Sequence, residues 1–541
     1  MAKIHTLKVA NFRGIKNLEY NFYNSDLVCL VGRGDSGKTT ILEAISLALS
    51  SRWNIQIYDN DFFECNVEIP IIIEITLFDI PERFISESKY GLWIRFIDNE
   101  GLITDDMSKG KEPALSIRFE VDSSLEPKWS VFNDRNQELM RISASDREML
   151  NVFLVSDYID SHYTLSKGSP LLSLVKKINK GDNEKDNIVV EALRDAKKKI
   201  DEQKIKNLED IMESVIEFSN SLGLAIEELN TSIDYKNIII GESKLCLHDG
   251  LIPIRSKGKG SKRLLSLTLQ FELSDKKGII LIDEIEQGLE PDRVKHLVRF
   301  IQSENRGQVF LTSHSQNVIE EFEADKIYLV DNESGKISLK KCGEEVQGVL
   351  RACPEAVYAK KVIICEGKTE IGFCRALDSY RIKKGMKNLS RLGVVYSLGE
   401  GNSMQRRANQ LVLIGKKVCV LCDSDDEDFN RSKESLKSND VTVIDWDKGN
   451  NFERQILNDL PDTAIKELIN SDDDFSKEIK TIVSDTSEVG GIRSKLSRSK
   501  IFKSIKAGEF LGNIVFGSID NLKGKKVLEQ IKNIEKWIDD D

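Results

Sequence analysis

"DLVCLVGRGDSGKTTILEAISLALSS", residues 26–51, decides the fold of the first half of the chain. The apolar run Leu27 to Val31 has the length and β-branched content of a strand, and the apolar residues of "TTILEAISLALSS" recur at helical spacing. Between them, Gly32 to Thr39 fits G-x-x-x-x-G-K-[ST], with the preceding strand and following helix that this pattern requires. Gly32 and Gly37 let backbone N–H groups face phosphates at a helix N-terminus. Lys38 would neutralise the β- and γ-phosphates, and Thr39 would hold Mg²⁺. The stretch predicts an ATP site with one Mg²⁺.

Two later segments supply the partners such a site needs. "GIILIDE" places Asp283 and Glu284 at the end of an apolar strand, where Asp283 can serve the Mg²⁺ shell and Glu284 can orient or deprotonate the attacking water. "VFLTSH" ends another strand on His314, positioned to sense a γ-phosphate. A lone histidine at a strand end is usually structural, and only its order after the other motifs brings it into the ATP set.

The 541 residues exceed what one hydrophobic core serves, so at least two domains are expected. No apolar run approaches the roughly 20 residues of a membrane helix and no signal-peptide layout opens the chain, so a cytoplasmic location without membrane partners is expected. The nine cysteines are scattered; Cys419 and Cys422 lack a second pair to complete a zinc site and read as reduced core thiols. A net charge of −11 argues against indiscriminate coating of nucleic acid, although "RSKGKGSKR" (255–263) and "RSKLSRSKIFKSIK" (493–506) are locally basic. From charge alone, each is a solvated face.

Residues 1–350 read as one α/β unit, with strands in "HTLKVANF", "DLVCLVG", "IPIIIEITLF", "GIILIDE", "QVFLTSH" and "ISLKKC". A charged, helix-rich insertion occupies about 150–235, too short for a long coiled-coil arm. Beyond the turn-rich "DNESGK", a boundary falls near 350. Residues 351–541 then alternate "KVIICE", "LGVVYSLG", "KKVCVLCDSD" and "DVTVIDWD" with helix-like segments, the pattern of a second α/β domain with a mainly parallel sheet and a C-terminal extension.

If those runs are parallel strands, Glu366, Asp423 and Asp425 emerge at the carboxyl edge of one sheet, and Glu370, one helical turn on, returns to it. Carboxylates so placed repel one another unless a cation lies between them, which predicts Mg²⁺ or Mn²⁺. Any one of these acids is readily explained as a loop acid, and "DSDDED" could supply D-x-D by accident. E-G-x-x-E after one strand with D-x-D after another is much more specific.

The first set of motifs, with "FRG" (Phe12–Gly14) ahead of the phosphate loop and "DEIEQGLEPDR" after the strand, resembles the ABC-type ATPases of the RecF and OLD (overcoming lysogenization defect) branch. That resemblance implies two heads sandwiching ATP, hence a homodimer or higher homo-oligomer. The chain departs from the family where an LSGGQ-like signature is expected: "SKGKGSKRLLSL" (Ser256–Leu267) stands in its place, which leaves dimer-coupled hydrolysis open and gives the basic cluster a competing reading as a γ-phosphate contact.

The second set resembles the TOPRIM domain over roughly 355–460. What OLD nucleases imply is a two-metal site on Glu366, Glu370, Asp423 and Asp425, completed by a later acid, with a lysine supporting cleavage. Glu453 in "NNFERQIL" matches the later acid best, with Asp447 the alternative; Lys503 in "SKIFKSIKAGEFLG" is preferred over Lys500 and Lys506 for the lysine. The two resemblances in this order look like an OLD-family DNA endonuclease, a family that includes the Gabija nuclease and is associated with defence against phage. DNA and a companion defence protein such as a helicase would be its partners. Two alternatives stay open. One is an ATP-driven DNA-binding scaffold or sensor with an inactive TOPRIM site. The other is a different TOPRIM enzyme, although a topoisomerase would need a strand-passage domain and a primase a zinc module.

Overall fold

The computed structural model describes residues 2–107, 112–135, 138–156, 160–164, 169–178, 195, 198–199, 247–274, 278–304, 307–399, 403–425, 427–470 and 474–540. Most of the helical insertion expected at 150–235 lies outside the described residues; Pro170–Ile178 within it is a helix.

Two sheets organise the chain. In the larger, Leu154–Val155, Ile279–Ile282, Gln308–Ser313, Leu27–Val31 and Ile327–Glu333 lie side by side in that order, all parallel. The run "DNESGK" turns Ile327–Glu333 back into an antiparallel hairpin with Lys336–Lys341. The sheet then continues through Ile15–Asn21, Lys3–Phe12, Ile71–Phe78 and Glu112–Val121, which pair antiparallel. The sheet is therefore mixed, with a parallel wing that carries the phosphate loop and an antiparallel wing beyond it.

Alternation of side chains fixes what each face buries. Leu27, Cys29 and Val31 join one apolar cluster, while Val28 and Leu30 join another together with Ile41, Leu42 and Ile45 of the helix Lys38–Ala48. Both faces are covered, which is why these parallel strands read as unbroken apolar runs.

The smaller sheet holds Val394–Leu398, Lys361–Cys365, Lys417–Leu421 and Val441–Ile444, all parallel. Val362, Ile364, Val418 and Val420 face the cluster that also contains Val31 and Leu311, so one core crosses from the larger sheet to the smaller. Ile363, Cys365, Cys419 and Leu421 face the opposite side and pack against helices between Phe452 and Asp539.

One crossing there is unusually close. The helix Lys368–Lys383 meets the helix Ile505–Gly517 at Gly372, Gly508 and Gly512. A Cβ at Gly508 would overlap the Thr369 carbonyl, and one at Gly372 would overlap the Ile505 carbonyl. Backbone lies against backbone, and glycine is needed for that approach.

Candidate functional site: a phosphate loop and a buried carboxylate cluster

The parallel wing brings the ATP-set residues to one edge. Gly32 follows Leu27–Val31, Asp283 follows Ile279–Ile282, and His314 follows Gln308–Ser313. Gly37 stands just ahead of the helix Lys38–Ala48 with a φ of 93°, and a Cβ there would press on Ile337 Cδ1 at 2.9 Å. Lys38, only 4 % exposed, folds back over its own loop: Nζ donates to the Gly32 and Arg33 carbonyls at 3.0 and 2.8 Å and to Ser36 Oγ at 3.1 Å. Burial lowers the Lys38 ammonium to about 8, opposed by Asp283 and Glu284. Its three acceptors are neutral, and a bound phosphate would put an anion in direct contact with it.

Thr39 Oγ1 donates to Asp283 Oδ1 at 2.9 Å, so the two residues expected to share Mg²⁺ already meet. The same Asp283 oxygen accepts from Thr312 Oγ1 at 2.7 Å, and Thr312 Oγ1 accepts from the Glu284 N–H at 2.7 Å. Glu284 has a φ of 47°, a left-handed conformation at the strand end. The His314 N–H donates to Glu286 Oε1 at 2.6 Å, and its ring stacks on Tyr358 with centroids 6.2 Å apart. Burial, then nearby Lys38, pushes the His314 imidazole toward its neutral form.

Arg263, 2 % exposed, corrects part of the reading of "RSKGKGSKR". Its guanidinium turns inward, donating to the carbonyls of Asp283 and Glu284 and to Gln287 Oε1 at 2.8 Å. It braces the acidic strand end from within the same chain. Thr312 and Arg263 are residues that motif reading missed: Thr312 had a signal, two places before His314, whereas Arg263 bonds to backbone carbonyls that no pattern marks.

The smaller sheet gathers a second group at its carboxyl edge. The Asp423 N–H donates to Glu366 Oε2 at 2.7 Å, which joins the two motifs across neighbouring strands. Glu370, 4 % exposed, reaches back to the start of its own helix and accepts from the Gly367 N–H at 3.0 Å. Asp423 Oδ1 accepts from the Phe452 N–H at 2.8 Å, and Glu453 Oε1 lies 2.9 Å from Thr369 Oγ1. Burial raises the Glu370 carboxyl to about 7, with Glu453 and Glu366 adding to the rise. Burial, then Glu370 and Glu366, raises Asp423 to about 8.

Asp425 stands apart. It is exposed, and among the described residues no hydrogen bond joins it to the other four acids, while the intervening Ser424 turns inward to the Trp446 carbonyl. Asp447 accepts from Gln455 Nε2 at 3.0 Å, which leaves Glu453 as the acid held by the Glu370 helix. Lys503 is exposed and follows Phe502, whose carbonyl lies 2.8 Å from Thr369 Oγ1; Lys506 lies over the Phe475 ring at 5.5 Å, and Lys500 is exposed. Buried Lys433 was missed: Nζ donates to the Asp423 carbonyl and to Ser424 Oγ at 3.3 and 3.2 Å.

In kind, four carboxylates suit a hard divalent cation. As the side chains stand, no group of three or more His, Cys, Asp or Glu is arranged to hold a metal among the described residues. No described helix is long and apolar enough to cross a membrane.

Over 49 residues the chain is 49 % identical to the DNA replication and repair protein RecF of Rickettsia akari (strain Hartford), a match spanning 9 % of this chain and 13 % of that relative. The Smc head domain of Pyrococcus furiosus, solved with the C-terminal domain of ScpA, aligns over 63 % of this chain and 96 % of its own at 17 % identity and a TM-score of 0.36. The SMC head domain of Thermotoga maritima aligns over 63 % and 99 % at 13 % identity and a TM-score of 0.29. Residues 27–320, more than half of the chain, match the family described as "AAA domain, putative AbiEii toxin, Type IV TA system", and the chain belongs to that family of ATPases.

Proposed function

We propose that the chain is an ATP-binding, metal-dependent DNA endonuclease, with an ABC-type ATPase domain over 1–350 and a TOPRIM-type nuclease domain over 351–541. The observation that carries this reading is the joining of Glu366, Glu370, Asp423 and Glu453 at the carboxyl edge of a four-stranded parallel sheet, apart from the phosphate loop. These four residues, with Asp425 from the adjoining loop, would hold Mg²⁺ or Mn²⁺. When bound, a pair of such ions activates water and stabilises a departing oxygen in phosphodiester hydrolysis.

The chain's own groups do the positioning. Backbone N–H groups of Gly367, Asp423 and Phe452 each hold one carboxylate oxygen of Glu370, Glu366 and Asp423. Thr369 ties Glu453 to the segment that leads to Lys503, whose ammonium would offset charge on the phosphate. In the ATPase half, Lys38 would bind nucleotide phosphates, Thr39 and Asp283 would hold Mg²⁺, and Glu284 would direct water, with His314 beside the same phosphates. DNA as substrate draws on the RecF likeness, dimerisation on the need of ABC-type sites for a second head, a cytoplasmic location on the lack of a membrane-length apolar run in the sequence, and defence against phage and a companion protein on the OLD resemblance.

A competing reading, an ATP-driven DNA-binding scaffold or sensor with an inactive acidic site, draws on the exposed Asp425 and the lack of three converging ligands among the described residues. Incubating supercoiled plasmid with purified chain and Mg²⁺ or Mn²⁺ separates the two. Nicking that chelation abolishes is the expected result. Intact plasmid with either ion, at protein concentrations that bind DNA, would favour the scaffold.

A further inference from the structure

The phosphate loop borders a second feature, which shares Gly32 with the ATP set but none of its charged residues. A cleft of about 710 Å³ lies between the loop, the end of the strand Ile327–Glu333, and the amino edge of the smaller sheet. Its walls include Gly32, Arg33 and Ser36 but not Lys38, Thr39, Asp283, Glu284 or His314. Lys361, Val394 and Lys417 pair at the starts of their strands, so the cleft meets the opposite end of the sheet from Glu366 and Asp423. Five-residue strands separate the two ends by roughly 15 Å.

The charge of this cleft runs against that of the molecule. Seven of its lining side chains are Lys or Arg and three are Asp or Glu, in a chain whose net charge is −11. One of the three, Asp539, is already paired with Arg381 at 2.6 Å. Lys416 donates to the carbonyls of Val357 and Ala359, both at 2.8 Å, which uses two of its three protons on fixed backbone. Burial lowers its ammonium to about 8, opposed by Asp331, while Arg33 and Lys340 add to the fall. Arg33 reaches across from the phosphate loop, with Nη2 3.5 Å from the Ser390 carbonyl and the guanidinium against Gly393. Lys340, Lys360 and Arg391 are exposed around it.

We propose that this cleft is a second phosphate-binding site, which takes a phosphorylated small molecule of nucleotide size and is distinct from the ATP site on the far side of the phosphate loop. The volume suits a pocket for one small ligand, and walls from both sheets close it on two sides, unlike a groove that tracks a nucleic-acid backbone. Its occupant touches Arg33 on one side and the strand starts of the smaller sheet on the other, which gives the two halves a shared ligand and a route for coupling.

Calorimetric titration of the full chain with ATP and, separately, with inorganic tripolyphosphate tests the inference. Two equivalents of ATP per wild-type chain are expected, with one retained in Lys38→Ala. Tripolyphosphate should bind Lys38→Ala at one equivalent, and reversing exposed charges in a Lys340→Glu, Arg391→Glu variant should weaken that binding at least about tenfold, as a loss of about 1.4 kcal/mol implies. If Lys38→Ala does not fold, a two-site ATP isotherm in the wild type that becomes one-site in the charge-reversed variant carries the same conclusion. A tighter fit for ATP than for tripolyphosphate would assign the occupant as a nucleotide, and equal affinity would assign recognition to phosphates alone; both support the site. A single equivalent lost entirely with Lys38, or residual binding indifferent to charge reversal, would overturn it. So would displacement of tripolyphosphate from Lys38→Ala by short duplex DNA, because the cleft would then be a nucleic-acid path.

Discussion

The backbone N–H of Asp423 donates to Glu366 Oε2 at 2.7 Å, a bond that spans 57 residues of sequence and locks two acidic motifs to each other. It follows from register: Cys365 pairs with Leu421, so Glu366 and the residues just after Leu421 leave the sheet together. The ATP set is assembled by the same rule in the larger sheet, where Ile282 pairs with Leu311 and Asp283 therefore meets Thr312.

Replacing Lys38 by Ala removes the ammonium that spans Gly32, Arg33 and Ser36. Losing its charge-assisted contacts to phosphate costs about 2–3 kcal/mol, or about 30- to 150-fold in ATP affinity at the phosphate loop. Titration at that site should show this, with the smaller sheet still folded. Unchanged affinity there would reject the phosphate loop as the ATP site.

Arg263→Ala should leave nucleotide binding within a few-fold while lowering hydrolysis, because the guanidinium holds the Asp283–Glu284 carbonyls and not the loop. The buried carbonyls lose their donor, and stability should fall by about 2 kcal/mol in urea unfolding. Arg263→Lys should restore little, since a single ammonium cannot reach three acceptors in a plane. Full hydrolysis in both variants would mean that the brace is dispensable.

Gly508→Ala places a methyl group on the Thr369 carbonyl, at the crossing that sets the Glu370 helix against the helix just after Lys503. Overpacking of this kind costs about 1–3 kcal/mol. The thermal midpoint should drop and DNA cleavage should fall further than the unfolded fraction explains. A variant with wild-type melting would show that the helices separate freely.

His162 gives a pH signature. Burial lowers its imidazole to about 4, with Arg52 adding to the effect, and a ring nitrogen lies 2.7 Å from Ser266 Oγ. The folded pKa lies below the unfolded value of 6.5, so the folded chain binds fewer protons between them. This residue's contribution is therefore fully present above pH 6.5 and is lost as pH falls toward 4. The stability difference between wild type and His162→Gln should shift by about 3 kcal/mol across that window. A difference that does not change with pH would contradict a buried neutral imidazole.

What could be read in advance was whatever the strand period dictates. The four runs beginning "KVIIC", "LGVVY", "KKVCV" and "DVTVI" are apolar on alternate faces that both find partners, and all four are strands. Glu366 and Asp423 were legible because they end such runs. Asp425 is two residues further on, outside the pairing, where nothing in the strand period holds it to the cluster. Arg263 and Lys433 escaped because most of their partners are backbone carbonyls and an inward hydroxyl, and the Gln287 amide and Asp445 carboxylate that join them are brought near only by the fold. The Gly372–Gly508 contact escaped because it joins helices 136 residues apart in sequence, and glycine alone does not say what it touches.

The central claim is that nucleotide binding and DNA cleavage occupy separate sites in one chain, and the direct measurement scores both activities in Asp423→Ala and Glu366→Ala beside the wild type. Plasmid cleavage in Mg²⁺ or Mn²⁺ should fall to the level of the buffer control in each variant, while ATP titration stays at the wild-type affinity. Cleavage that survives both substitutions, in protein freed of contaminating nuclease, would contradict the assignment of the carboxylate edge as the catalytic site.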